Sequence, residues 1–172
     1  DGSLRSAQWY RNAVSLIADR VSQNKLMSEG KLNNQPSVGR MNMFAYDPKY
    51  KNTLPFYDVF PLVLPLEPIK GGFMGLNFHY LPYPLRFRLL ERMQKFATNS
   101  KFDSTTKLLA NYDDVKSINL IRPAIKKYLY KQVQSRFRRI DTDEMAIAVY
   151  LPVADFKKSS IGSVFADSRR KI

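Results

Sequence analysis

At 172 residues, with 44% hydrophobic and 25% charged residues, the chain fits one domain with a real core and has ordinary globular composition. Its formal net charge of +13 is not ordinary and calls for a polyanionic partner: nucleic acid, an anionic membrane surface or an acidic protein. The lack of cysteine excludes disulfides, thiolate metal sites and cysteine nucleophiles, and no run approaches the roughly 20 apolar residues of a membrane span. The first residues show no basic-then-apolar secretory pattern, and a chain that opens on Asp1 rather than Met is expected to be a fragment or a processed product.

Taken in order, Trp9, Ala13, Leu16, Ile17 and Val21 recur near helical spacing, which predicts a helix over 6–27 with Ser6 as N-cap. Ser28 to Ser37, with Gly30, Asn33, Asn34 and Pro36, reads as a linker or surface loop. Three aromatic or aliphatic runs, at 40–46, 59–66 and 73–81, are separated by turn signals and predict β-strands. Gly71-Gly72 can supply the positive φ that a tight reversal needs. Tyr46, Tyr50, Phe56, Tyr57 and Phe60 crowd this zone; most are expected in the core, the alternative being a platform on which bases stack.

Pro84 suits the first turn of a helix over 84–98, with Leu85, Leu89, Met93 and Phe96 inward and Arg88, Arg92 and Lys95 on another face. A short helix is expected near 104–112. The spacing of Ile121, Ile125, Leu129, Val133 and Phe137 predicts the longest helix, over 119–139, with Arg122, Lys126, Lys127, Lys131 and Arg138 off its apolar stripe. Thr142-Asp143-Glu144 opens a short helix, a strand follows at 149–153, and a helix over 160–170 closes the chain with Ile161, Val164 and Phe165 inward.

The charge is unevenly spread. Residues 84–139 carry 14 Lys/Arg against four Asp/Glu, while 60–83 and 140–172 are each balanced. A charge run is usually a solvated face, but such a face mixes both signs. Missing acidic partners suit a phosphate backbone, where neutralisation releases counterions and makes affinity strong and salt-dependent. A membrane contact is not expected, because the apolar faces are needed inside.

Catalytic motifs are not evident. His79 is the single histidine, expected as a structural or outward polar position, with no partner nearby in sequence to orient it as a base. Asp47, Asp58 and Glu67 are the acids that a metal nuclease would have to bring together, but each sits in a turn or proline context where acids occur anyway. No phosphate-binding glycine loop or nucleophile elbow is present.

The segments YDPKYKNTLPFYDVFPLVLPLE, GGFMGLNFHYLP, RPAIKKYLYKQVQSRF and AIAVYLPVADF together resemble virion-associated proteins of T4-like contractile-tailed phages, of the DNA end protector or head-completion group. The resemblance spans most of residues 39–170. It implies a non-enzymatic protein that binds the ends of linear double-stranded DNA and shields them from exonuclease, carried in the virion and acting in the host cytoplasm, alongside other virion proteins. It supplies no catalytic residue.

These readings combine into an α+β fold: a small curved antiparallel sheet or SH3-like barrel surrounded by basic helices. Residues 1–38 are expected as a helical arm and linker, and 39–172 as one domain with a basic helical insertion at 84–139. Arg88, Arg92, Lys95, Arg122, Lys126, Lys127, Lys131 and Arg138 are the expected phosphate contacts. No cofactor, metal or small-molecule substrate is expected. The alternative is a structural head, neck or baseplate protein whose basic face meets acidic protein.

Overall fold

The computed structural model describes residues 5–36, 40–97 and 121–170. Helix α1, Ala7–Ile17, begins where expected, with the Ser6 hydroxyl accepting the Trp9 N–H at 3.2 Å. The helix does not run on to residue 27. After a 3₁₀ turn at Ala18–Arg20 the chain extends through Val21 and Ser22, and the Ser22 hydroxyl accepts the Lys25 N–H to cap a second helix, α2, Gln23–Glu29. A serine that bonds its own downstream backbone favours a cap over a helix interior, and here it breaks one helix into two. The expected linker then contributes an edge strand, β1, Lys31–Asn33.

The strands β2 (Met41–Met43), β4 (Leu62–Ile69) and β5 (Gly72–Asn77) correspond to the three apolar runs, each shorter than or offset from its expected bounds. Gly71, at φ 77°, makes the turn between β4 and β5. Gly72 does something different: a Cβ there would run into the Tyr128 carbonyl, so its hydrogen lets the next strand approach. Pro65 and Pro68 are tolerated inside β4 because β2 pairs only with Leu62 and Val63, which leaves the prolines on a stretch with one partner and a register shift between Pro65 and Glu67. Beyond Asn77 the third run leaves the sheet. The Asn77 Oδ1 accepts the His79 N–H at 3.0 Å and folds Phe78–Tyr80 into a 3₁₀ turn.

Helix α3, Tyr83–Ala97, carries Pro84 in its first turn as expected. The largest correction lies further on. The predicted helix over 119–139 is instead a 3₁₀ turn at Arg122–Ala124, strand β6 at Ile125–Leu129, a second turn at Tyr130–Gln132, and strand β7 at Phe137–Ile140. The helix-like spacing is overridden by tertiary pairing: β6 adds to β5 over five residues, and β7 adds to both β2 and β1. Between them, the Ser135 hydroxyl accepts the Ala45 N–H and the Gln134 N–H donates to the Ala45 carbonyl, both at 2.8 Å. The predicted short helix at 104–112 lies outside the described residues.

The 149–153 strand is also corrected. After the turn at Thr142–Glu144 comes α4, Met145–Ala148, and Val149 to Val153 follow as irregular chain, buried except at Pro152. A short, mostly buried apolar run cannot announce its backbone state. Strand β8 falls later, at Phe156–Lys157, pairing with β3 at Tyr57–Asp58, and α5, Ile161–Arg170, closes the described chain with Val164 buried.

The result is a six-stranded antiparallel sheet in the order β1-β7-β2-β4-β5-β6, with a separate β3-β8 pair. It is mixed α and β as expected, but the sheet stays open rather than closing into a barrel. Period-two alternation splits β4 between two cores. Leu62, Leu64 and Leu66 join the larger one, beneath residues of α1, α3, α4 and α5. Val63 points into a smaller aromatic cluster with Phe44, Tyr46, Phe73, Tyr128 and Phe137, where the Phe44 ring lies 4.9 Å from Phe137 and 5.5 Å from Tyr128.

Candidate nucleic-acid interface

Strand β6 ends the six-stranded sheet among the described residues, and four of the eight expected phosphate contacts lie on it or next to it in sequence. Arg122 precedes the strand, Lys126 and Lys127 belong to it, and Lys131 sits in the turn after it. Arg122, Lys127 and Lys131 are exposed and make no ion pair among the described residues. Lysines on a terminal strand also discourage pairing with a foreign strand, so their placement has a structural use besides any ligand. These cations ride on strand and turn, not on a helix, because the predicted helix is absent. Arg88 is exposed on α3; Arg92 and Lys95 lie on the same helix, but their side chains are outside the described set.

Arg138 is differently employed. Its Nε donates to the Leu26 carbonyl at 2.9 Å and ties α2 to β7, across Gly30, whose missing Cβ leaves the room the guanidinium occupies. Arg86, also within the basic segment, is fully buried. Its Nε donates to the Leu81 carbonyl and its two terminal nitrogens to the Val149 and His79 carbonyls, at 2.6, 2.6 and 3.1 Å. Burial pulls the guanidinium pKa down to about 10, which leaves it charged at neutral pH. Three carbonyls, two from the His79–Leu81 turn and one from Val149, meet one planar fork, so Arg86→Lys should cost about 1–3 kcal/mol in chemical denaturation: an ammonium cannot reproduce the fork.

Beside β6 the chain leaves a recess of about 320 Å³. Its walls are the loop Pro48 to Leu54, the segment Phe56 to Asp58, and Lys126 to Leu129, with Tyr46 and Tyr80 deeper. Lys49, Lys126 and Lys127 contribute to the lining, and the Lys126 ammonium lies 4.3 Å from the centre of the Tyr80 ring. Tyr46 anchors the wall by accepting the Leu129 N–H on its hydroxyl at 2.9 Å. Burial pushes the Tyr46 phenol up, the Leu129 bond opposing it more weakly. Of the five aromatics expected to crowd this zone, Tyr46 and Phe60 are buried, Phe56 and Tyr57 half-buried, and Tyr50 is 62% exposed.

The acids expected for a metal site do not assemble. Asp47 pairs with Lys51 at 2.9 Å in an exposed turn, Glu67 lies on β4, and Asp58 is buried in a network of its own. Among the described residues the close carboxylates are Asp141, Asp143 and Glu144, and Asp141 is already met by Lys31, Arg40 and Arg139 at 3.3, 3.2 and 2.9 Å.

The Asp58 network supplies the partner for His79 that sequence proximity did not. Asp58 Oδ2 accepts from His79 Nδ1 at 2.8 Å and Asn77 Nδ2 at 3.0 Å, while Oδ1 accepts the Phe60 and Asp155 N–H groups at 3.0 and 3.2 Å. Burial pushes this carboxyl up, but the His79 charge and hydrogen bond, with those from Asn77 and Phe60, outweigh it and hold it below its ordinary value. An ionised carboxylate only accepts, so Nδ1 carries the proton. The other ring nitrogen, Nε2, is buried without a partner. The pair is sealed from any substrate and serves as a structural tie between β3, the end of β5 and the approach to β8.

The fold and the site define a basic α+β protein whose exposed cations follow one strand and the tyrosine-lined recess beside it. Residues 4–170 match the family of the phage T4 terminal DNA protecting protein, and the chain belongs to that family. No curated protein sequence and no solved structure matches it significantly.

Proposed function

We propose that this protein binds the ends of linear double-stranded DNA through sequence-independent phosphate contacts and shields them from exonuclease, without chemistry of its own. It would travel in the virion with the packaged DNA and act in the host cytoplasm. The observation that carries this reading is the family match over residues 4–170. The cations of α3 and of the segment around β6 supply the physical means: Arg88, Arg92, Lys95, Arg122, Lys126, Lys127 and Lys131 are assigned to phosphates, Arg as a fork and Lys as a point charge. Arg138 is set aside because its guanidinium holds α2 to β7.

The test is a mobility-shift series on linear and covalently closed DNA of equal sequence, with and without Mg²⁺. Linear DNA is expected to bind more tightly, with log affinity falling linearly against log salt, and to survive Mg²⁺ intact. Equal affinity for both forms would remove the end-specific part. Degradation with Mg²⁺ would support a nuclease, and no DNA binding at all would favour a structural role against acidic virion protein.

A further inference from the structure

From the recess beside β6 we infer that the protein takes the unpaired terminal nucleotide of a DNA strand out of the duplex and holds it there. This rests on the DNA-end reading and adds to it a means of telling an end from a duplex interior. The recess, at about 320 Å³, lies at the small end of the roughly 300–1,000 Å³ of ligand pockets, suited to one nucleotide and not to a helix. Its lining matches the two parts of a nucleotide. Tyr50, Phe56 and Tyr57 offer ring faces for a base, and Lys49, Lys126 and Lys127 offer positive charge for a phosphate. The one carboxylate in the lining, Asp58, does not spoil the balance. Its side chain is 1% exposed and its two oxygens are taken by four donors.

The outer wall is held in place at some cost, which a mere packing flaw would not require. Lys158 is the only non-glycine at positive φ among the described residues, at 69°. From that position its Nζ donates to the Lys51 and Leu54 carbonyls, at 2.6 and 3.0 Å, and so ties down the loop that carries Lys49 and Tyr50. Strained backbone persists where surrounding contacts over-determine it, and it clusters at ligand clamps. Lys158 is thus a positioning residue for the recess. Only at an end can a terminal pair open without disturbing neighbours on both sides. A pocket for a single unpaired nucleotide therefore selects ends, where phosphate contacts along the duplex do not.

The test uses the full chain and three duplexes of one sequence: a blunt duplex, one with a mismatched terminal pair carrying 2-aminopurine as the terminal base, and one with both ends closed by hairpins. The mismatched end is expected to bind best, with 2-aminopurine fluorescence quenched as the base stacks on the tyrosines. Tyr50→Ala should weaken binding of the mismatched end about ten-fold and abolish part of the quenching, while leaving the hairpin-closed duplex unchanged. Tyr50 is 62% exposed, so the variant should keep its circular dichroism spectrum. A second variant, Lys158→Ala, should loosen the loop and lower the same preference without touching the base. The inference is overturned if mismatched and hairpin-closed duplexes bind equally well, or if Tyr50→Ala weakens both alike. In that case linear DNA binding would still stand on the phosphate contacts. A chain that binds none of the three duplexes overturns both readings.

Discussion

Asp58→Ala should cost about 3–5 kcal/mol of folding free energy: each buried donor left unsatisfied costs about 1–3 kcal/mol, and relief from burying the carboxylate itself offsets part of the sum. The substitution removes one carboxylate and strands four donors at once: His79 Nδ1, Asn77 Nδ2 and the Phe60 and Asp155 N–H groups. Against a typical total stability of about 5–15 kcal/mol, that loss brings the protein close to unfolding at ambient temperature. Asp58→Asn should cost less. The amide keeps an oxygen for Phe60 and Asp155 but turns an NH₂ toward Asn77 and His79, so the expected order is Ala worse than Asn worse than native in urea denaturation. The pH dependence has a definite sign. The folded carboxyl titrates below its ordinary value of 3.8, so the Asp58 contribution is fully present above that value and is lost as pH falls through the lower folded one. The gap in midpoint between native protein and Asp58→Asn should therefore be constant near neutrality and shrink on acidification below about pH 3.8. A gap that stayed constant down to the lowest accessible pH would mean that the carboxylate is not the species the network holds.

This network shows where local sequence stops being informative. The strands around Gly71 were legible because their signals are local: alternation, aromatic content and a glycine at the turn. Helices α3 and α5 were legible for the same reason, through Pro84 and apolar spacing. The 119–139 segment was not. Ile121, Ile125, Leu129, Val133 and Phe137 repeat every four residues, which fits one face of a helix. The same chain instead adds two strands to opposite parts of a sheet, because Tyr128 and Phe137 complete an aromatic cluster begun by Phe44 and Phe73. Those partners lie more than 50 residues away, and nothing in the segment names them. The same distance hid the Asp58–His79 pair, 21 residues apart in sequence, and the burial of Arg86, whose Val149 partner is 63 residues on. The charge excess of the segment was readable; which of its cations are spent inside was not. Arg86 and Arg138 hold the fold together, while Arg122, Lys127 and Lys131 remain exposed.

That division makes the cation assignment testable by charge removal alone. In the triple variant Arg122→Ala, Lys127→Ala, Lys131→Ala, the slope of log affinity against log salt for linear duplex should become shallower by about 3, one for each lost phosphate contact. At near-physiological salt each contact is worth close to one factor of five by the same counterion argument, so the affinity loss should be about a hundred-fold. Stability should barely change, since exposed surface positions usually shift folding by no more than about 0.5 kcal/mol either way. Arg138→Ala should invert this pattern: the salt slope of DNA binding stays nearly native, and stability falls as α2 loses its tie to β7 through the Leu26 carbonyl. If the triple variant kept the native slope, the cations of β6 would be edge protection for the sheet. The phosphates would then be met by Arg88, Arg92 and Lys95 on α3.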